Sequence, residues 1–262
     1  MIKLNAKIKT PEILLVFLSV VLVIVIATGG TIAYFSGQDE VKNTLTIGKI
    51  SVALDEPKWN PEDGLDIRPG KVADKDPTVT AVEGDSYMRV KMEIVDGDGN
   101  LLTDASRIGL VLQTIWYEKQ AGSISNDGKY TTDNLNTLVT SGKISAEYNN
   151  TDFRFAGIET GKPAVRYYNY ISNSGIFQKG TVIQLFNKIV IPTSWHNTEI
   201  FVLDGDEFVS TPDGKVEVTA KGTGYKIVLT GEAIQSAEME NADSAFSALD
   251  DATGVTRDTS GI

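Results

Sequence analysis

The chain has 262 residues, no cysteine, one histidine, and 35 acidic against 24 basic residues, for a formal net charge of −11. The lack of cysteine excludes disulfides, thiol catalysis, cysteine-based metal centres and a lipidated N-terminal cysteine, and a single imidazole excludes the usual histidine sets of zinc hydrolases. The acidic balance argues against nucleic acid as a partner, because phosphate binding needs clustered Lys and Arg.

Residues 1–33 are predicted to be a signal peptide. Lysines at positions 3, 7 and 9 precede an apolar run, Ile13–Ala27, that only Ser19 interrupts. Thr31 and Ala33 are small, as the third and first positions before a signal-peptidase cut must be, so cleavage is expected just before Tyr34. The alternative is that the segment is not cleaved and anchors the protein in the membrane. If the residues up to Thr31 are counted, the apolar run approaches the roughly 20 residues that a membrane-spanning helix needs. Only the precursor is expected to contact a membrane, and the mature protein is expected to be acidic and exported.

Beyond the cleavage site the sequence is predicted to form strands and turns. Apolar residues occupy every second position of Thr44–Leu54, but they change from odd to even positions at Gly48–Lys49. In a regular strand the two halves would then face opposite sides of the sheet, so a β-bulge at Gly48–Lys49 is predicted to keep both halves on one core. Ser86–Val95 is the clearest strand, because apolar and polar side chains alternate along it. The apolar set is expected to face the core and the polar set the solvent: Met88, Val90, Met92 and Ile94 inward, and Tyr87, Arg89, Lys91 and Glu93 outward.

The stretch Asp96–Asn100 resembles a calcium loop in composition but departs from the EF-hand pattern. That motif needs Gly at its sixth position and Glu at its twelfth, where this chain has Leu101 and Arg107. A hairpin turn is the favoured interpretation, because Gly and Asn adopt the positive backbone angles that such turns require. Apolar residues at helical spacing then predict a short amphipathic helix within Asp104–Trp116.

Residues 118–163 are rich in Gly, Ser, Thr and Asn, which predicts an insertion or a peripheral, mobile hairpin. Further strands are expected at Pro77–Thr80, Ala164–Ile171, Thr181–Ile191, Lys215–Thr219 and Tyr225–Thr230. A helix is expected at Glu238–Leu249, and residues 250–262 are predicted to be a disordered tail. About seven or eight strands with two minor helices predict an all-β fold, a single β-sandwich over residues 34–249, with jelly-roll and immunoglobulin-like topologies both open.

Several segments, taken in order, resemble the exported TasA/camelysin family. They are Gly29–Phe35, Thr46–Val52, Lys75–Thr80, Ala81–Met92, Leu185–Pro192 and Gly231–Gln235. The resemblance covers most of the chain apart from residues 118–163, and it is carried by the order and spacing of the segments. Members of that family are exported through a dedicated signal peptidase, usually called SipW, which cuts a Gly-Thr-x-Ala type site before an aromatic residue. Here that site is Gly30–Ala33 before Tyr34.

The resemblance implies a jelly-roll subunit of extracellular matrix fibres, secreted to the cell surface or biofilm matrix of a bacterium. In such fibres the N-terminal segment of one subunit fills a groove in the next, so Tyr34–Val41 is the expected donor segment, with Tyr34, Phe35 and Val41 as assembly residues. The implied partners are the SipW-type peptidase and further copies of this chain, with a minor fibre protein as an open addition. The residues alone allow a donor strand on an open sheet edge, but a loose terminus is the ordinary behaviour of chain ends.

Two other functions find less support in the residues. Camelysin-like proteins have been labelled metalloendopeptidases, but His196 is the only imidazole and has no paired base and ligand set beside it. The chain is therefore not expected to be an enzyme or to hold a metal or cofactor. A monomeric adhesion or carbohydrate-binding sandwich would draw on Tyr167, Tyr168 and Tyr170. Since Tyr168 and Tyr170 share one strand face and Tyr167 takes the other, packing in a core or interface is favoured over an aromatic platform.

Overall fold

The computed structural model describes residues 37–40, 43–44, 51–55, 68–126, 128–195, 207–210, 216–220 and 225–260. For the five short strands at 37–40, 43–44, 51–55, 207–210 and 216–220 it describes only the backbone course. The strands are β1 (Gly37–Glu40), β2 (Asn43–Thr44), β3 (Ser51–Asp55), β4 (Val72–Asp74), β5 (Thr78–Glu83), β6 (Ser86–Asp96), β7 (Ile115–Glu118), β8 (Ile144–Ala146), β9 (Phe153–Glu159), β10 (Lys162–Tyr170), β11 (Ile176–Phe177), β12 (Val182–Gln184), β13 (Lys188–Val190), β14 (Glu207–Ser210), β15 (Val216–Ala220), β16 (Tyr225–Gln235) and β17 (Arg257–Asp258). The helices are α1 (Ala105–Leu112), α2 (Thr132–Thr140) and α3 (Ala242–Thr253).

The largest sheet is antiparallel, with the strand order β17-β9-β10-β6-β16-β1-β2, and β11 pairs with the start of β6. β6 and β16 form its centre, paired without interruption from Asp96 opposite Tyr225 to Ser86 opposite Gln235. On its other side β6 pairs with β10. The strand predicted at Tyr225–Thr230 therefore exists but continues to Gln235.

The main core lies against one face of this sheet. Met88, Val90, Met92 and Ile94 of β6 are fully buried there, as the alternation predicted. They pack in one cluster with side chains from β5, α1 and the segment around Phe186. The opposing strands form two smaller sheets, β12-β5-β3 and β4-β13-β7-β8, and β14 pairs with β15 in a separate hairpin. The chain is thus mostly β-strand with three short helices among the described residues, an arrangement compatible with an all-β sandwich.

The second face of the large sheet is also covered, which corrects the predicted orientation of β6. Tyr87 and Arg89 were expected to face solvent, but both are buried. α3 packs over them through a cluster that includes Phe246 and Leu249. Farther along β6, beyond the helix, Lys91 and Glu93 remain partly exposed as an ion pair. An amphipathic helix that buries its apolar stripe on a sheet turns a half-exposed strand into one that is buried on both faces.

The prediction of a disordered tail at 250–262 is wrong for the residues up to 260 that the structure describes. α3 continues to Thr253 and ends at Gly254, whose left-handed conformation suits glycine at a helix C-terminus. Arg257–Asp258 then adds to the large sheet beside β9. The tail is held because its polar residues have buried partners, as described below.

Residues 118–163 are not a peripheral hairpin. β9 lies within this region and is an inner strand of the large sheet, with Phe153 buried in the main core. α2 packs near β8 on a second small core that Trp116, Ile124 and Leu135 help to form. The polar composition of this region hides its packing, because its few apolar residues are widely spaced along the chain and are buried in separate clusters.

Other local predictions are confirmed in part. The helix within Asp104–Trp116 is α1, where Asp104 accepts a hydrogen bond from the backbone N–H of Arg107, but Ile115 already begins β7. The strand expected at Thr181–Ile191 is divided into β12 and β13, which belong to different sheets. The bulge predicted at Gly48–Lys49 lies outside the described residues.

Asp96–Asn100 is the hairpin turn that the sequence favoured. The Asp96 carboxylate accepts hydrogen bonds from the backbone N–H groups of Asp98 and Asn100, and Gly99 has a φ of 91°. Donation from the Asn100 N–H, the largest influence, lowers the pKa of Asp96. The carboxylate is therefore used within the turn itself.

Candidate assembly site

The predicted cleavage residues Thr31, Ala33 and Tyr34 lie outside the described residues, as do Phe35 and Val41 of the donor segment. His196 lies outside them too. Of the expected donor segment the structure describes Gly37–Glu40, which is β1.

β1 lies in the large sheet of its own chain, directly beside β16. The two strands are antiparallel over four residue pairs, from Gly37 opposite Ala233 to Glu40 opposite Thr230. β1 then pairs back with β2, where Asp39 lies opposite Thr44. Pairing with β16 and β2 gives β1 main-chain partners on both sides.

The strand that receives β1 rests on a buried group of charges. Across the sheet Asn169 of β10, Arg89 of β6, Glu232 of β16 and Gln38 of β1 are successive register partners. Arg89 is 1% exposed. Its Nε donates to the Glu232 carboxylate, and its Nη2 donates to Asp250 of α3 at 2.6 Å.

Arg257 completes this charge network, which we define as Arg89, Glu232, Asp250 and Arg257. Its Nε donates to the second carboxylate oxygen of Asp250 at 2.6 Å, and its Nη1 donates to the carbonyl of Ala156 on β9 at 2.6 Å. Two guanidinium groups therefore face two carboxylates, so the buried charges compensate one another. Asp250 is the link that ties the C-terminal segment to the sheet.

Aromatic rings enclose the Arg89 guanidinium. Its central carbon lies 4.5 Å from the ring centre of Tyr167 and 4.8 Å from that of Phe246. Burial alone would lower the pKa of Arg89, but the negative charges of Glu232 and Asp250 outweigh it and raise that pKa. Arg89 is consequently a permanent cation between β16 and α3.

The three tyrosines considered for carbohydrate binding are buried. Tyr168 and Tyr170 belong to the main core and Tyr167 to the opposite face, as the strand alternation predicted. Tyr168 packs 4.9 Å from the ring of Tyr148, and Tyr170 packs 5.1 Å from that of Phe177, between ring centres. Burial raises the pKa of the Tyr167 and Tyr168 hydroxyls. These rings pack within the protein and do not present an open aromatic platform.

A cleft of about 620 Å³ with a mixed polar and apolar lining lies between β12 and the end of β10. Asp76, Asp152, Tyr117 and Tyr170 are among its lining residues. Asp152 accepts hydrogen bonds from Ser172 and Asn149, so it is already occupied within the fold. Across the described part of the chain, no group of three or more acidic or histidine side chains is arranged to hold a metal ion.

No helix in the described ranges is long and apolar enough to cross a membrane. Comparison of the chain with models of protein families, with curated proteins and with solved structures finds no match. The described residues form a mostly-β fold in which Gly37–Glu40 lies beside β16 in the large sheet, and the family resemblance stays a prediction.

Proposed function

We propose that this chain is an exported structural subunit of extracellular matrix or surface fibres, and that subunits join by passing the N-terminal strand from one to the next. The observation that carries the proposal is the pairing of Gly37–Glu40 with β16. These four residues belong to the segment that the family resemblance marks as a donor strand, and their pairing with β16 of the same chain supports the proposal.

Exchange of β1 between subunits requires no new kind of contact. The same four residue pairs can form between β1 of one copy and β16 of another, because the partners are identical. A strand held by so few pairs, near the proposed mature start at Tyr34, can leave its place without unfolding the β6 and β16 centre. The contact is head-to-tail, so it produces open filaments if the rotation does not close into a ring.

The proposed route to the fibre is export followed by cleavage. In this proposal a SipW-type peptidase cuts between Ala33 and Tyr34, which frees the N-terminal segment for assembly at the cell surface or in a biofilm matrix. Support comes from the small residues before the cut and from the resemblance to the TasA/camelysin family. The subunit acts by assembly and has no catalytic role in this proposal.

Electron microscopy of two purified forms tests the proposal. A chain beginning at Tyr34 should form filaments, and a chain beginning at residue 42 should fold but remain unassembled. Asp39→Pro should slow assembly, because it removes one main-chain donor from β1, whereas Asp39→Ser keeps that donor and is the matched control. Filaments from the shortened chain would refute donor-strand exchange. A mature form that stays monomeric at all concentrations would refute the fibre function and favour a monomeric surface-binding protein.

A further inference from the structure

Three polar side chains in the smaller sheet β4-β13-β7-β8 form a closed hydrogen-bonded triangle. Lys188 Nζ donates to Asp74 Oδ1 at 2.6 Å and to Asn126 Oδ1 at 3.0 Å. Asn126 Nδ2 donates to Asp74 Oδ2 at 2.8 Å. An amine, a side-chain amide and a carboxylate are thus brought together, with each group bonded to both of the others.

Strand pairing holds Lys188 and Asp74 in place, and Asn126 reaches them from an exposed position in the neighbouring segment. Lys188 lies on β13 with Asp74 of β4 as its register partner on one side and Trp116 of β7 on the other. Its side chain is only 10% exposed. Asn126 comes from the segment between β7 and α2, which is anchored next to it by the buried Ile124, whose N–H donates to the Glu118 carboxylate at 2.6 Å.

We propose that Lys188 and Asn126 become joined by an intramolecular isopeptide bond, with Asp74 as the catalytic carboxylate. Asp74 takes a proton from the Lys188 ammonium and leaves a neutral amine. That amine attacks Cγ of Asn126, one C=O bond beyond the oxygen it already contacts. Asp74 then delivers that proton to Nδ2 and accepts the second proton from the attacking Nζ. The C–N bond to Nδ2 breaks, ammonia leaves and takes the second proton from Asp74 as ammonium, and a secondary amide remains.

The reaction balances without any added reagent. One lysine ammonium and one primary amide become one secondary amide and one ammonium ion, and no atom is oxidised or reduced. The folded protein keeps the two reacting groups next to each other, so they react as if each were present at a very high concentration. This lowers the entropic part of the activation barrier. Asp74, with 39% of its side chain exposed, opens the site to solvent on one side and gives the released ammonia a way out.

The bond would supply a covalent cross-link that this chain cannot obtain from disulfides, because it has no cysteine. It would tie the segment before α2 to β13 across a long stretch of sequence, and such a link restricts the unfolded chain. The inference does not depend on fibre formation, since it concerns one folded subunit.

Peptide mapping of the folded, purified protein tests the inference. Trypsin should fail to cut after Lys188, and a branched peptide should join residues 120–129 to residues 180–215 with the loss of one ammonia. Succinimide formation at Asn126 gives the same change in mass, but it leaves Lys188 cleavable and produces no branch. Recovery of only linear peptides covering both positions would overturn the proposal.

Variants separate the covalent bond from ordinary packing. Lys188→Arg keeps the positive charge, and Asn126→Ala removes the acceptor, so each should abolish the branched peptide completely. Asp74→Asn should also abolish it in a chain that still folds, as judged by an unchanged circular dichroism spectrum. Lys226→Arg is the matched control, because Lys226 Nζ donates to a backbone carbonyl, that of Gly97. A branched peptide that persists in Asp74→Asn would refute the role of that carboxylate, and one that persists in Lys188→Arg would refute the assigned bond.

Discussion

Replacing Arg89 with Met tests whether the buried charge network holds α3 on the sheet. Met preserves much of the unbranched stem, so the change removes chiefly the guanidinium. Glu232 would lose its ion pair with Arg89, and Asp250 would keep only Arg257. Removing one partner from a buried ion pair costs about 3–5 kcal/mol, because a charge is left uncompensated. Loss of the two ring contacts adds to that cost.

A second substitution distinguishes the missing charge from damaged packing. In Arg89→Met combined with Glu232→Met, both members of the pair are gone, while Asp250 remains paired with Arg257. An apolar pair of similar volume is often no less stable than a buried ion pair, so the double variant should recover most of the loss. We expect it to lie within about 1.5 kcal/mol of the original protein.

Urea unfolding measures these costs. The change in the free energy of unfolding is obtained from the shift in the urea midpoint, provided that the dependence of that free energy on urea concentration is unchanged. Lys91→Met is the matched control, because Lys91 lies two residues along the same strand face and its ion pair with Glu93 is partly exposed. It should cost less than about 1 kcal/mol. The reasoning would be refuted if Arg89→Met cost no more than Lys91→Met, or if the double variant were as unstable as the single one.

Further predictions concern the pH dependence, the C-terminal segment and the turn after β6. Burial raises the pKa of Tyr168 and Tyr225 above the ordinary 10.0. The free energy of unfolding should therefore keep its full value below pH 10 and fall as the pH rises above it. Both hydroxyls should ionise only when circular dichroism shows that the protein unfolds. A chain ending at residue 249 should lose more than about 3 kcal/mol in urea unfolding, because Arg89 loses its ion pair with Asp250. A chain ending at residue 258 should lose little, and equal losses would contradict this. Because the pKa of Asp96 is lowered, its carboxylate stabilises the folded protein above pH 3.8, and this stabilisation is lost as the pH falls below that value. Acid titrations of the free energy of unfolding should show that Asp96→Ala removes this part of the pH dependence. Calcium or a chelator should leave the melting temperature unchanged, and a shift of many degrees would contradict the assignment of this turn.

Several strands and the core face of the central strand could be predicted from the sequence, because period-two alternation is a local signal. Met88 to Ile94 needed no knowledge of the partner strands. The opposite face could not be assigned in the same way. Arg89 follows the pattern of an exposed residue, and only the later apolar stripe of α3 shows that this face needs a cover. A helix predicted beside a sheet should therefore count as a reason to expect buried polar residues on that sheet.

The charge network and the Lys188 triangle are built from residues distant in sequence. Glu232 and Asp250 meet Arg89 only because β16 pairs with β6 and α3 folds back across them. Asn126 lies in a segment that composition marked as an insertion, yet its side chain contacts a strand of the sheet. No spacing rule connects such positions, since the contacts depend on strand order and register. The N-terminal donor segment is a different case. Only Gly37–Glu40 of it is described, and these residues lie beside β16 of their own chain, so transfer of the strand to a neighbouring subunit stays a prediction.

Disulfide trapping between β1 and β16 tests the proposed strand exchange most directly. The chain has no cysteine, and Glu40 lies opposite Thr230 in register, where paired Cα atoms are about 4.5–5.5 Å apart and within reach of a disulfide. When Glu40→Cys and Thr230→Cys chains are mixed, assembled and oxidised, we expect a disulfide between the two chains at these positions. A chain carrying both substitutions, oxidised as a monomer, should lock its own strand and form no filaments. Filaments from the mixed chains without that interchain bond, or filaments from the locked monomer, would contradict the account.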